Sequence, residues 1–572
     1  MGDALTKITN NILSFVSSIT LLLLVYSLFI LRGIQPQGYT INIYEQLPFS
    51  LYLTLLFCYL SACVLLLAYR KMSAVLVLFL VHITIMIIPY MLGYLSVGRG
   101  DELSYIGLAG ENGISGLSSL STTGPLFVSA LALVSGMRVA TLSYFLPVFF
   151  SIMFITGMFL FYRVFMSREK LVSVSFLSSF IPYFGHFQIS TSPYYLFFCL
   201  VPLYLFVMRN ALSGKNREMV ICFLFMIPLI PLGDPFIFAY LACFCVFLIL
   251  SLKSMKSGIF QKIMNSGFLS QDSLHISGRK VPIFIFLSFA SVILLFCVKY
   301  VPHSFEISFQ TLSWSTNTLM TTGLFRLPEA ESGFFEFIHF FNLHYGKYYI
   351  PLIFILINSI IVWQNRKRFC HHFVRRYPRF LAMYIFTFFL ELAFLFNPFI
   401  PYPVDRFANL SFVILAQIPL LGYSLYVIFL RKGYTLGLGS AVMILCLLWT
   451  LGFFTCFSSP YSGGISEGTS INEAEGIHWL SEVKDTYPHI ISSGEGNEFV
   501  VPEGLNDNYN LSSNYSEINE PFYSVVTTYS KSLSQSEHKH SEEPAFYENS
   551  SRDYKVQKIY DSLNIEIYEH RP

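Results

Sequence analysis

The sequence predicts an all-α polytopic membrane bundle with about 13 transmembrane helices and a small extracytoplasmic α/β domain at its C-terminal end. Of the 572 residues, 54% are hydrophobic and only 12% are charged, whereas soluble domains carry about 25% charged residues. Long apolar runs recur from the N-terminus to about Phe457. This composition excludes a soluble enzyme, a nucleic-acid-binding protein and a disordered chain.

The charge distribution divides the chain in two. Residues 458–572 contain 7 Lys/Arg against 19 Asp/Glu, whereas residues 1–457 are strongly basic. The apolar runs end where the acidic part begins, and such an asymmetry indicates a domain boundary. We therefore predict a multi-span membrane domain over 1–457 and an acidic extracytoplasmic domain over 458–572.

Thirteen apolar segments are predicted to cross the membrane, because a helix of roughly 17–25 residues spans the hydrocarbon core. They cover residues 11–31, 47–69, 73–93, 142–162, 171–185, 193–209, 219–234, 236–252, 281–300, 350–364, 380–400, 411–430 and 434–457. The further run 125–136 is too short to cross, so we predict a re-entrant or interfacial helix there.

Lysine and arginine set the predicted orientation. With the N-terminus in the cytoplasm, the cytoplasmic segments contain 22 Lys/Arg and the outer segments contain 7. This positive-inside bias predicts a plasma-membrane protein whose C-terminal domain lies outside. Most acidic residues of the membrane domain fall on the outer side. Acidic residues contribute little to topology, so this pattern favours an outward-facing site that uses carboxylates.

The strongest candidate for that site is the segment Gly98–Tyr105, which follows the third span and contains Arg99, Asp101 and Glu102. Glycines on both sides of Arg99 allow the backbone to approach a ligand closely. A carboxylate at the membrane surface can act as a general base or bind a divalent cation. A solvated turn with charged residues remains the alternative.

Three further residues on the predicted outer side are candidates. Asp234 lies at the end of a span and is either a second active-site carboxylate or a turn residue that ends the helix. Arg406 either binds a lipid phosphate through its guanidinium or anchors the following span. His186 lies in a predicted outer turn, where a single histidine more often has a structural role than a catalytic one.

The acidic domain shows mixed secondary-structure patterns. A helix is predicted over 472–483, and alternating apolar residues predict strands over 556–560 and 565–568. Ser-, Glu- and Asn-rich linkers separate these segments, as at 530–543. These patterns predict a small α/β domain with flexible loops.

Taken together, several segments resemble the polytopic glycosyltransferases of the C superfamily (GT-C), especially archaeal-type members that depend on polyprenyl-phosphate sugars. The resemblance rests on Gly98-Arg99-Gly100-Asp101-Glu102-Leu103-Ser104-Tyr105-Ile106-Gly107, Gly124-Pro125-Leu126-Phe127, Ser192-Pro193-Tyr194-Tyr195-Leu196, Asp234-Pro235, Asp405-Arg406-Phe407 and the tail segment Ile559–Tyr568. It covers the chain in outline.

The resemblance implies an enzyme that moves a sugar from a polyprenyl-phosphate donor to a lipid-linked or protein acceptor on the outer face. It implies that Asp101, with Glu102 beside it, is the catalytic acid of the first outer loop and that Asp234 is a second acid. Arg99 or Arg406 then neutralises the leaving phosphate, with His186 as a further substrate-binding residue. In this chain two additional spans precede the loop, and a divalent cation, Mg²⁺ or Mn²⁺, is left open as a cofactor.

Three other functions remain open at this point. They are a transporter or flippase for lipid-linked saccharides, a ligase or polymerase of surface polysaccharide, and a non-catalytic membrane scaffold that displays the acidic domain. The expected partners are the sugar donor, the acceptor and membrane lipids, with no nucleic acid.

Overall fold

The computed structural model is mostly helical, with a small mixed sheet near the C-terminal end. It describes residues 2–35, 38–69, 72–98, 123–166, 168–191, 193–212, 349–364, 384–385, 388–389, 411–430, 435–459, 466, 468–483, 489–492, 522–528, 531, 555–562 and 564–571. The predicted spans 219–234, 236–252 and 281–300, and most of 380–400, lie outside the described residues.

Eleven helices lie within the described residues. They are α1 (Gly2–Gly33), α2 (Phe49–Tyr69), α3 (Met72–Met91), α4 (Thr123–Ser135), α5 (Val139–Phe165), α6 (Glu169–Ser178), α7 (Pro193–Leu212), α8 (Tyr349–Gln364), α9 (Ser411–Leu425), α10 (Thr435–Cys456) and α11 (Ile471–Val483). The helix α9 continues as a π-helical turn over Tyr426–Leu430.

Five of the described helices are long and apolar enough to cross a membrane. The crossing segments are Asn11–Gly33, Phe49–Leu67, Met72–Met91, Thr141–Arg163 and Leu436–Cys456. Shorter apolar helices cover Tyr195–Val207 and Ile414–Leu430. The chain is therefore a multi-pass membrane protein, as its composition predicts. The short run predicted at 125–136 is the 13-residue helix α4.

The helix α3 lies at the centre of the described bundle, because α1, α2 and α5 all pack against it. The helix α1 lies at the edge and leaves large apolar side chains exposed, among them Phe15, Leu22 and Phe29. In a membrane protein such a face contacts lipid tails, which are as apolar as the side chains themselves.

Glycines allow the closest helix contacts. A Cβ added at Gly157 of α5 would lie 2.9 Å from the backbone nitrogen of Leu203 in α7. A Cβ at Gly452 of α10 would lie 2.6 Å from the carbonyl oxygen of Pro182. Small residues at membrane helix interfaces let backbones approach in this way, and packing then stabilises the pair. The stacked rings of Tyr59 and Trp449, with centroids 5.3 Å apart, join α2 to α10.

The predicted span 171–185 is wrong as a continuous helix. The helix α6 ends at Ser178, and the chain continues as irregular backbone before a 3-10 turn over Gly185–Ile189. The side chains of Phe180, Ile181 and Tyr183 in this segment are buried. Irregular backbone inside a membrane protein is tolerated where protein surrounds it. Pro182 contributes to the break, since it has no backbone N–H for a helical hydrogen bond.

The loop after α1, the end of α3, the end of α10 and the C-terminal segments lie on one face of the bundle. The hydroxyl of Tyr44 in the loop donates to the Phe453 carbonyl (2.6 Å) and accepts from the Phe457 amide (3.0 Å). The amide of Ile471 donates to the carbonyl of Gly93 (2.9 Å). The sequence predicts that this shared face is the outer one.

Near the C-terminus, four strands form a mixed sheet in the order β3-β4-β6-β5. The strands are β3 (His489–Ser492), β4 (Phe522–Thr527), β5 (Lys555–Asp561) and β6 (Ile565–Arg571), with only β3 and β4 parallel. The helix α11 packs on the sheet through a core of Ile477, Leu480, Tyr523, Val525, Ile565 and Ile567. The sequence patterns indicate α11, β5 and β6 but do not indicate β3 or β4.

A charged cluster on β6 makes this sheet sensitive to acid. Burial alone would raise the pKa of the Glu566 carboxyl, but hydrogen bonds from Lys531, Tyr568 and Lys558 outweigh it and lower the pKa to about 2. The Lys531 ammonium lies 2.7 Å and the Lys558 ammonium 3.1 Å from this carboxylate. Because the folded pKa lies below the usual value of 4.5, the stabilisation is present above pH 4.5 and is lost as pH falls toward 2.

We expect Glu566→Gln to weaken the acid dependence of the sheet. In hydrogen exchange of the full chain from pH 7 down to pH 3, corrected for the intrinsic exchange rate at each pH, the protection factors of the β4 and β6 amides should fall less on acidification in the variant than in the wild type. Glu475→Gln, which changes a carboxylate on α11, serves as the control and should behave as the wild type. Identical acid profiles for Glu566→Gln and the wild type would show that the low pKa of Glu566 does not contribute to the stability of the sheet.

Candidate functional site

The described structure reaches the edge of the predicted site. Gly98 is described, and Arg99, Asp101 and Glu102, which follow it, lie outside the described residues, as do Asp234 and Arg406. The backbone of His186 lies in the 3-10 turn Gly185–Ile189. The structure therefore defines the segment from which the carboxylate loop departs, residues 93–98, which we call the loop root.

Gly93 turns the chain at the end of α3. Its φ of 87° lies in the left-handed region, which glycine adopts without the penalty that a Cβ imposes. The chain then runs into β1 (Tyr94–Ser96). The hydroxyl of Ser96, the last residue of β1, donates to the carbonyl of Gly98. This contact orders the last described residue before Arg99.

The loop root pairs with a distant part of the chain. The strand β1 is antiparallel to β2 (Thr469–Ser470), with Tyr94 opposite Ser470 and Ser96 opposite Thr469. The ladder is very short, and the β2 strand leads directly into α11. The residue that begins α11, Ile471, is thus adjacent to the loop root, since its amide donates to the carbonyl of Gly93.

Tyr94 is the buried centre of the loop root. Its ring lies against Gly468, where a Cβ would be 2.5 Å from the ring carbon Cδ1. Its hydroxyl accepts a hydrogen bond from the Thr40 amide (2.9 Å) and lies 3.1 Å from the Thr40 hydroxyl. Burial of an aromatic ring contributes about 1.5–3 kcal/mol. The loop after α1, β1 and the segment before α11 therefore form one packed unit.

A second contact joins the loop after α1 to the segment before α11. The hydroxyl of Tyr39 donates to the carbonyl of Ser466 (2.8 Å), and the Ser466 amide donates to the carbonyl of Ile41 (3.1 Å). The two segments that contact Tyr94 are thus also bonded to each other. Catalytic groups need rigid support. This packed unit fixes the position of the loop root, after which the residues with the candidate carboxylates follow in the sequence.

A buried polar cluster lies further along α3. The Nε2 atom of His82 is 2.6 Å from the hydroxyl of Ser151 in α5 and 3.3 Å from the amide nitrogen of Gln188. All three side chains are buried. Gln188 belongs to the 3-10 turn that contains His186, so this turn contributes one side chain to the cluster. The position of His186 in an outer turn stays a prediction, and the carbonyl of Ile189 in the same turn accepts from the hydroxyl of Tyr90 near the end of α3 (3.3 Å).

The cluster follows from the break after α6. A continuous helix over 171–185 would keep its backbone groups bonded internally, whereas the turn brings Gln188 toward His82. The Oε1 atom of Gln188 makes no hydrogen bond within the described residues. Buried polar groups of this kind are costly in a bundle, so their placement indicates a constraint beyond packing.

We expect Ser151→Ala to lower the free energy of unfolding by about 1–3 kcal/mol, because it removes the closest partner of a buried histidine. Denaturant unfolding in detergent measures this change. The matched control is Ser18→Ala, since the exposed Ser18 hydroxyl bonds only to the Ser14 carbonyl of its own helix. Its expected effect is below about 0.5 kcal/mol. Equal effects of the two variants would show that the buried contact contributes nothing.

Within the described parts of the chain, no group of three or more His, Cys, Asp or Glu side chains could hold a metal ion. Asp101 and Glu102 are adjacent, and neighbouring side chains point in different directions on a regular element.

The contacts of the loop root could be found only partly from sequence. Ser470 and Glu473 form the pattern Ser-x-x-Glu, which is a helix-capping signature, and the Ser470 hydroxyl accepts from the Glu473 amide (3.2 Å). That pattern places the start of α11 one residue earlier than predicted. The pairing of Tyr94 with Ser470 joins positions almost 400 residues apart, and no local pattern indicates it.

Comparison with solved structures finds similar chains. Among them, the crystal structure of ArnT from Cupriavidus metallidurans bound to undecaprenyl phosphate aligns with a TM-score of 0.44 and 9% sequence identity, over 87% of this chain and 98% of that chain. At these values the two chains are similar in outline only. No model of a protein family matches the chain, and no curated protein matches it.

Proposed function

We propose that the chain is an integral membrane glycosyltransferase, which moves a sugar from a polyprenyl-phosphate donor to a lipid-linked or protein acceptor on the outer face. In this proposal residues 1–457 form a GT-C-like domain of about 13 spans with a cytoplasmic N-terminus. Residues 458–572 form an extracytoplasmic domain. The observation that carries the proposal is the packed loop root, from which Arg99, Asp101 and Glu102 follow directly.

The proposed reaction is a direct displacement at the anomeric carbon. The acceptor oxygen forms a bond to the anomeric carbon while the bond between that carbon and the phosphate oxygen breaks. Polyprenyl phosphate leaves with the bonding electron pair. The Asp101 carboxylate takes the acceptor proton. Arg99 or Arg406 stabilises the negative charge on the leaving phosphate, and Asp234 and Glu102 orient the acceptor.

The structure supports the proposal through the position of the loop root. The loop root continues from the end of α3 and contacts two separate parts of the chain, the loop after α1 and the segment before α11. A carboxylate gains catalytic efficiency when its approach to the substrate is fixed, because the orientation entropy is lost during folding and not during reaction. A scaffold that only displays its C-terminal domain has no need of this arrangement.

One observation favours a second candidate, a transporter or flippase for lipid-linked saccharides. The cluster of His82, Ser151 and Gln188 is buried among helices, and α6 is interrupted beside it. Ionisable residues and discontinuous helices inside a bundle are typical of transport pathways. A transporter predicts that His82 is essential and Asp101 is dispensable, whereas the transferase predicts that Asp101 is essential.

The two candidates are separated by comparing surface glycans and lipid-linked sugars in cells that carry the wild type, Asp101→Asn, His82→Gln or no protein, at matched expression. The transferase predicts that Asp101→Asn accumulates the same incomplete glycan as the deletion. If Asp101→Asn has wild-type glycans while the deletion and His82→Gln share a defect, the transport function replaces the transferase function. The missing sugar in the deletion identifies the donor.

A further inference from the structure

We propose that Asn564, eight residues before the last residue of the chain, is a positioning residue that fixes the loop root through Ser470. Its consequence for catalysis rests on the function proposed above, whereas its effect on the loop root does not. Asn564 lies just before β6, far in sequence from α3. No charged or nucleophilic group is required of it, and it acts only through the residues that it contacts.

Asn564 makes hydrogen bonds to the strand β2 and to the end of β4. Its side-chain amide donates to the Ser470 hydroxyl (3.1 Å), and its backbone carbonyl accepts from the Thr528 amide (2.9 Å). The side chain is buried. The second bond ties Asn564 to the end of β4, so the sheet determines where its amide group lies.

Asn564 also fills the space beside the loop after α1. Gly38 has φ 77°, and a Cβ added there would lie 1.9 Å from the side-chain nitrogen of Asn564. No ordinary atom contact is that short, so only glycine fits at this position without displacing the asparagine. The amide group of Asn564 is thus confined between Ser470 and Gly38.

Ser470 transmits this constraint because it has three contacts at once. It pairs with Tyr94 across the β1–β2 ladder, its hydroxyl caps α11 by accepting from the Glu473 amide, and the same hydroxyl accepts from Asn564. When Asn564 holds the Ser470 side chain, the β2 backbone is held against β1.

The β1–β2 ladder needs such support because it is too short to be stable alone. It joins two registered residue pairs and contains an irregularity between Tyr94 and Ser96. Even complete two-stranded hairpins are marginal in water. Side-chain contacts at its end therefore decide how often the loop root opens, and Asn564 provides the contact that comes from the sheet.

The test is hydrogen exchange of the full-length protein in nanodiscs, for Asn564→Leu and for the control Ser562→Ala. The Ser562 hydroxyl lies in the same β5–β6 turn and bonds to no described residue. Asn564→Leu is expected to accelerate exchange of the amides of residues 94–97 by about tenfold, the loss of one hydrogen bond. Amides of the β4–β6 ladder should stay protected in both variants.

A second variant covers the case in which Asn564→Leu disturbs the sheet. Gly38→Ala leaves the sheet sequence unchanged and displaces the Asn564 amide from the other side, so it should accelerate the same amides. Unchanged exchange at 94–97 in Gly38→Ala and in a folded Asn564→Leu overturns the proposal.

A kinetic measurement tests the catalytic consequence separately. In the transferase assay, Asn564→Leu should lower kcat while KM for the donor changes little, because the donor still binds and the loop is misplaced. If exchange at 94–97 accelerates but kcat is unchanged, Asn564 fixes the loop root and the carboxylate loop is not the catalytic site. That outcome overturns the proposed function and the catalytic part of this inference, and leaves the positioning contact standing.

Discussion

Asp101→Asn is expected to reduce sugar transfer by the purified protein by about 10²–10⁴-fold, the usual contribution of a general base. The substitution keeps the size of the side chain and removes its ability to accept the acceptor proton. Donor binding should change little, because the amide retains one oxygen. The initial rate of transfer in detergent, measured with saturating donor, gives this ratio.

Two variants make that result specific. Glu102→Gln is expected to cause a smaller loss than Asp101→Asn, since the proposal assigns Glu102 to orientation of the acceptor. Glu169→Gln changes an exposed carboxylate at the start of α6, on the predicted cytoplasmic side, and should retain the wild-type rate. A wild-type rate for Asp101→Asn would exclude it as the base, whatever the control shows.

Gly422→Val is expected to lower the free energy of unfolding by about 3 kcal/mol, at the upper end of the range for overpacked interiors. A Cβ at this position would lie 2.1 Å from the Ser175 hydroxyl and 2.8 Å from the Ser175 Cα. The backbone of α6 cannot move away easily, because Tyr59 of α2 donates to the carbonyl of Leu177 on its other side (3.3 Å).

Gly439→Val provides the matched control for this packing effect. Gly439 lies in the apolar helix α10 and is exposed, with nothing within 4 Å of an added Cβ. Both substitutions add the same β-branched side chain to a helix, so intrinsic propensity cancels. Thermal unfolding in detergent should show a large decrease for Gly422→Val only. Similar decreases would mean that α6 and α9 are not packed as described.

The apolar segments of the membrane domain could be predicted because their signal is local. A run such as 73–93 needs only its own composition to indicate a helix, and the structure has α3 at Met72–Met91. The helix α11 and the strand β6 have patterns of similar clarity. These elements depend on periodicity within about 20 residues, which a single sequence contains.

The break after α6 could not be predicted from hydropathy. The residues from Phe180 to Phe184 are as apolar as a helical span, and burial within protein satisfies them equally well in an irregular conformation. Pro182 was the available signal, yet α3, α5, α7 and α9 each contain an internal proline without ending there. Tertiary contacts, such as Gly452 against Pro182, decide the outcome.

The candidate site was only partly predictable for the same reason. Glycine, arginine and two carboxylates after a span indicate a surface loop with polar chemistry. The contacts that hold the loop root before it come from Thr40, Ser470 and Asn564, which are distant in sequence and ordinary in type. Their roles follow from the pairing of β1 with β2, which joins parts of the chain that have no shared sequence pattern.

The most direct test of the account is product analysis with the purified protein in liposomes that contain a labelled polyprenyl-phosphate sugar and an acceptor extract. The account predicts that the wild type releases free polyprenyl phosphate and glycosylated acceptor in equal amounts, and that Asp101→Asn releases neither. Intact donor that has only moved between the two leaflets, to the same extent in both proteins, would contradict it.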